Sequence, residues 1–190
     1  MKFLDKIRDY IRISRFAPIG RRYFIKNAFD GAMTSLGIVV GAYVAGDPSP
    51  FFIISAGLGA ALAMGLSGLV GAYVTEEAER TKELNSLERA MLKNLEESVI
   101  GRASRFASIW AGIVDGLSPA LAAIVCLAPF FLFSITFAIQ LSIAITLVVL
   151  FLLGAFLGRI SSRNVLLHGI KLLCVGLILT FILLAFKSIG

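Results

Sequence analysis

The sequence predicts an all-α membrane protein, and three observations predict it. Of its 190 residues, 58% are hydrophobic and only 16% are charged, against the quarter or so that is charged in a soluble domain. The apolar residues fall into segments of roughly 20, the length that crosses a hydrocarbon core. The Lys and Arg residues concentrate between those segments, in alternate loops. Together these predict five transmembrane helices in one bundle, an interfacial N-terminal helix, and a cytoplasmic amphipathic helix between spans two and three.

Residues 1–22 are basic and amphipathic. Phe3, Ile7, Tyr10 and Ile11 recur at helical spacing among Lys2, Lys6, Arg8 and Arg12, which suits a helix lying in the membrane interface. The segment lacks the continuous apolar core and A-x-A site of a cleavable signal. Pro18 and Gly20 are expected to separate it from the spans. Residues 23–74 hold span one, roughly Phe24 to Ala45, and span two, roughly Phe51 to Val74. Gly46-Asp47-Pro48-Ser49-Pro50 forms the turn between them, because its prolines cannot continue a helix.

Residues 75–105 carry Glu76, Glu77, Glu79, Glu83, Glu88, Glu96 and Glu97 interleaved with Arg80, Lys82, Arg89 and Lys93. Leu84, Leu87, Met91 and Leu95 form an apolar stripe at i, i+3, i+7 and i+11, the pattern of an amphipathic helix running on from span two. Residues 106–158 contain a single ionisable side chain expected to be charged, Asp115, and are too long for one span. They divide near Pro129 to Ser134 into spans three and four. Residues 159–190 give a short loop and span five.

Arg15, Arg21, Arg22 and Lys26 precede span one, Arg102 and Arg105 precede span three, and Arg159 and Arg163 lie between spans four and five. The two opposite loops carry no Lys or Arg. By the positive-inside rule the N-terminus is cytoplasmic and the C-terminus lies outside. The net charge of +6 therefore reads as topology and contact with anionic headgroups, not as nucleic-acid binding. A prokaryotic plasma membrane is the expected location.

Asp30 and Asp115 stand out, since a carboxylate inside an apolar helix is costly to desolvate and usually faces a pathway or a bound cation. Both are followed by Gly, and Leu36 falls opposite Leu121. Gly71-Ala72-Tyr73-Val74 closes span two as Gly154-Ala155-Phe156-Leu157 closes span four. The offsets, about 85 and 83, suggest a parallel internal repeat. Asp30, with Asn27 and Thr34 one turn to either side and Gly31 beside it, suits a hard divalent cation. Its other reading is an ion pair with Lys26. Pro119 frees a carbonyl near Asp115 that could serve a cation or water, or merely kink the helix. Met64 and Met33 offer soft thioether sulfur, or are simply packing residues. Glu76, Glu79, Glu83 and Glu97 are expected to share a helical face that could gather metal, or be simply solvated. Cys126 and Cys174 read as packing residues, and so does His168. No Walker loop, HExxH or nucleophile elbow is present, so no enzyme and no bound cofactor is expected.

Asp30-Gly31 with Thr34-Ser35-Leu36 and Gly41 resembles the Asn-Asp-Gly opening of the vacuolar iron transporter family. Leu66-Ser67-Gly68-Leu69-Val70-Gly71-Ala72-Tyr73-Val74-Thr75 is similar to that family's Leu-Ser-Met-x-x-Gly-Glu-Tyr-Val-Ser. The resemblance implies five spans, a homodimer, and export or sequestration of Fe²⁺ or Mn²⁺ in exchange for protons, with Asp30 lining the path. It places Gly68 where the family has methionine, Ala72 where it has glutamate, and a shorter cytoplasmic insert. Met64, one turn before Gly68, is the available sulfur. The readings from other classes are a non-transporting scaffold or sensor acting through the cytoplasmic helix, and a carrier of small organic cations.

Overall fold

The computed structural model describes residues 2–46 and 48–187, with side chains from residue 6 onward. Among these residues the chain is helical throughout: α1 (Lys2–Ile13), α2 (Phe16–Val44), α3 (Pro50–Met91), α4 (Val99–Leu127), a short 3₁₀ turn (Ala128–Phe131), α5 (Ile135–Ile160) and α6 (Val165–Phe186). Four segments are long and apolar enough to cross a membrane: α3, α4 with its 3₁₀ extension, α5 and α6. α2 has ample length at 29 residues but falls outside that set, because Asn27, Asp30, Thr34 and Ser35 dilute its apolar face. Large side chains point outward, with Phe51 80%, Leu66 68% and Phe181 68% exposed. That inversion suits a chain whose surroundings are lipid.

The first helix break is not where Pro18 and Gly20 suggest. It falls at Ser14-Arg15, with Arg15 at φ 50°, and α2 runs unbroken through both residues. Pro18 sits in the first turn, where its missing N–H would have had no helical partner. Of the expected amphipathic set in α1, Phe3 and Lys2 have side chains outside the described residues. In the turn after α2, Asp47 is also outside them, and Gly46 takes φ 88°.

α3 continues directly from the apolar segment into the acidic one, as the stripe predicts, and is 42 residues long. At ~1.5 Å per residue this is about twice the depth of a hydrocarbon core. It stops earlier than the stripe does. Leu92 turns the chain at φ 49°, and Leu95 lies in the connection to α4, buried, with its N–H donating to Glu88 Oε1 at 2.6 Å. A carboxylate that caps a loop amide fixes the reversal.

The expected repeat has a structural counterpart. α2 and α4 both contain 29 residues. Phe16 and Val99 are 83 apart, as are Val44 and Leu127, while α3 and α5 begin 85 apart. α3 exceeds α5 by its acidic extension.

Contacts divide the chain into two compact units, one of residues up to Phe24 with Gly65–Leu117, the other of Ile25–Met64 with residues from Ser118 on. In the first, Gly112 and Gly116 let α4 lie against the α3 backbone. A Cβ on Gly116 would come 2.8 Å from Gly65 O and 2.9 Å from Leu69 Cβ. In the second, Val39, Ile53, Leu127, Phe130 and Ile139 form an apolar core. Another forms around Ala32, Cys126 and Leu150, so Cys126 is the packing residue expected of it. Cys174 is exposed. His168 closes the α5–α6 hairpin, its Nδ1 3.0 Å from Asn164 O.

Gly31 is one of the tightest points of the second unit. A Cβ there would lie 2.7 Å from Pro119 Cα and 2.9 Å from its carbonyl carbon, atoms that cannot rotate away. Gly31→Ala is expected to destabilise the protein by ~1–3 kcal/mol through overpacking, read as a lowered midpoint in detergent thermal denaturation.

Candidate ion site

The candidate residues fall in both units. Asn27, Asp30, Gly31, Thr34 and Met64 belong to the second, and Glu76, Glu79, Glu83 and Asp115 to the first.

Asp30 sits at the middle of α2, half-buried. Among the described residues no hydrogen bond or ion pair engages its carboxylate, and none joins it to exposed Lys26. That removes the reading of Asp30 as half of a local ion pair. One turn further along, Thr34 Oγ1 donates to Met64 Sδ at 3.6 Å. Thr34 and Met64 therefore meet across α2 and α3. The second unit thus presents a carboxylate and, a turn away, a hydroxyl next to a thioether. Neighbouring Ser35 is satisfied, donating to Gly31 O at 2.9 Å.

Asp115 is buried, 6% exposed, and engaged by partners within the protein. Its carboxylate lies over Gly68. A Cβ on Gly68 would collide with Asp115 Oδ2 and reach 3.3 Å from its Cγ. The position that the family resemblance reserves for methionine is thus empty of side chain because Asp115 fills the space. Sequence reading missed this pairing, since nothing in either segment marks which side chains face each other.

The glutamates divide. Glu76 is buried and bound to Arg80, Nε to Oε2 at 3.1 Å. Arg80 Nη2 also donates to Ser14 O at 3.2 Å. Glu79 and Glu83 are exposed, and with Glu76 and Arg80 they line a cavity of about 500 Å³ walled also by Ser14, Ile13 and Leu87. Among the described residues, no three His, Cys, Asp or Glu side chains converge closely enough to hold a metal ion. Glu77 accepts from Tyr73 Oη at 2.8 Å. Glu97 does not share the expected face: α3 ends at Met91, and Glu97 lies in the connection to α4, paired with Arg105 at 3.4 Å. The phenol of Tyr23, just ahead of span one as read from the sequence, is held protonated. Burial raises its pKa most and the Glu76 charge adds to this; Arg22 opposes it, and Asp115 contributes further. A buried Arg–Glu pair was not foreseen either, although its i, i+4 spacing was visible; only burial distinguishes it from a solvated pair.

Apolar helices of spanning length, outward-facing hydrophobic side chains and a carboxylate in the middle of a further helix define an integral membrane protein. Comparison with known sequences makes the class narrower. A sequence model of the VIT (vacuolar iron transporter) family matches residues 87–185. An uncharacterized protein of the archaeon Methanocaldococcus jannaschii is 38% identical over 156 residues, covering 80% of this chain and 81% of its own length. The chain belongs to the VIT family, whose members are transporters, and this points to metal-ion transport across a membrane. The matched region covers the end of α3, all of α4 and α5, and α6 except its last residue, whereas the motifs quoted from the sequence lie in α2 and in α3 ahead of the matched region.

Proposed function

We propose that this protein exports or sequesters divalent metal ions, Fe²⁺ or Mn²⁺, in exchange for protons. The carrying observation is Asp30: a half-buried carboxylate in mid-helix with no internal ion pair or hydrogen bond among the described residues. A charge so placed needs a counter-ion, and either a metal ion or a proton supplies one. In this reading Asp30 binds the ion and takes up the proton that replaces it. Thr34 and Met64 complete its surroundings one turn along, and Asn27 one turn before. Asp115 supports the path from the second repeat, and Glu76, Glu79 and Glu83 collect ions from the cytoplasm. α2 is the fifth span, its polar residues being the functional ones. The N-terminus is cytoplasmic, a reading the loop charges support, the assembly is a homodimer, and the membrane is a prokaryotic plasma membrane.

The test is uptake of Fe²⁺ and Mn²⁺ into proteoliposomes under an imposed pH gradient. Gradient-dependent uptake of either ion by the purified protein is the expected result. Well-folded protein that moves neither ion sinks the proposal. The sulfur of Met64 is assigned the choice between metals, since thioether favours Fe²⁺ over the harder Mn²⁺. Met64→Leu, nearly isosteric, is expected to lower the ratio of Fe²⁺ to Mn²⁺ uptake severalfold while leaving Mn²⁺ uptake close to wild type.

A further inference from the structure

We infer that Arg80 is an internal cation that competes with the divalent ion for Glu76 and, while it holds that place, fastens the end of α1. The inference rests on the ion-collecting role proposed for Glu76.

Its basis is one buried bridge within the first unit. Arg80 and Glu76 are 7% and 8% exposed. The guanidinium reaches Glu76 Oε2 with Nε at 3.1 Å and Ser14 O with Nη2 at 3.2 Å. Ser14 directly follows α1, and its hydroxyl donates back to Tyr10 O at 2.6 Å. The carbonyls at a helix C-terminus lack helical partners and carry the negative end of the dipole, so a cation is the natural group to hold them. Arg15 then turns the chain at φ 50°. On α1's other flank, the Tyr10 ring lies 5.7 Å from Phe106, itself 5.9 Å from Trp110. Among the described residues, the Arg80 guanidinium thus links the end of α1 to α3, and an aromatic contact links α1 to α4.

The cavity beside this bridge makes it consequential. Exposed Glu79 and Glu83 stand in its wall with Glu76, and Ile13 and Ser14 at the end of α1 are part of the same wall. A cation attracted by the outer pair arrives at a carboxylate whose Oε2 is already taken. Arginine cannot become neutral by losing its proton, so the incoming ion displaces it bodily. A guanidinium that has lost its carboxylate is costly to keep buried. It moves to water and releases Ser14, and α1 comes free at that end. Arg80 therefore acts as a positioning residue: it sets the threshold for ion loading and converts loading into a movement of α1.

The experiment uses the full chain in lipid nanodiscs, measuring Mn²⁺ binding by the loss of free-ion electron paramagnetic resonance signal and α1 opening by amide hydrogen exchange. In wild type, Mn²⁺ should accelerate exchange in α1. Arg80→Gln should show fast α1 exchange without metal, no further increase with it, and tighter Mn²⁺ binding. If that variant fails to fold, Glu76→Gln serves: Mn²⁺ should no longer change α1 exchange. Mn²⁺ binding to wild type with α1 exchange unchanged overturns the inference and leaves the transport reading standing. Slow, wild-type α1 exchange in Arg80→Gln overturns it as well. Absence of Mn²⁺ binding in both wild type and Arg80→Gln removes the competitor, and the ion-collecting role of Glu76 falls with it.

Discussion

Asp30→Asn is expected to reduce pH-gradient-driven uptake of Fe²⁺ and Mn²⁺ to the level of protein-free liposomes. The amide keeps the shape and size of the carboxylate but carries no charge for a metal ion and has no proton to exchange. With no ion pair to break at Asp30 among the described residues, the fold should lose little, within about 1 kcal/mol. Detergent melting midpoints for the two proteins should therefore nearly coincide. The contrast between lost transport and kept stability separates a transporter from a scaffold in which Asp30 only joins helices. Uptake at wild-type rate in the variant would move the ion path away from α2.

The second large effect concerns Gly68 and Asp115. Gly68→Met restores the side chain found in the family segment that this part of α3 resembles, yet it is expected to destabilise the protein by ~1–3 kcal/mol. The added atoms enter the space that holds Asp115 Oδ2. Removing that carboxylate should make room, so Gly68→Met in an Asp115→Ala background should cost much less than in wild type. Thermal denaturation of the two single variants, the double variant and wild type gives the coupling, expected at ~1–2 kcal/mol for side chains in contact. Strict additivity would mean that Gly68 is required by the helix backbone and not by Asp115.

Helix type, the turn after α2 and the continuity of α3 were legible because each follows from local rules: hydrophobic runs of spanning length, paired prolines, and a stripe at helical spacing. The break at Ser14-Arg15 and the stop at Met91 were not. Each depends on a residue without a turn signature, Arg15 or Leu92, entering the left-handed region. At the candidate site, an acid in an apolar helix drew attention to Asp30 and Asp115 alike. What separates them, solvent access at one and a close-packed glycine at the other, is tertiary. Glu76 looked equivalent to Glu79 and Glu83 on the helical face, and only the burial of Arg80 sets it apart.

The similar offsets of α2 to α4 and of α3 to α5, 83 and 85 residues, have the form that a tandem duplication leaves behind. A two-helix ancestor would have carried one acid per copy and would have needed a second copy to cover its helices. Fusing two copies relieves that constraint. Each acid could then change alone, and the two differ here: Asp30 keeps its carboxylate half open, while Asp115 is enclosed against Gly68. Asymmetry between halves is the evolutionary freedom that fusion provides, and α1, α6 and the acidic extension of α3 are the additions that fall on only one side of it.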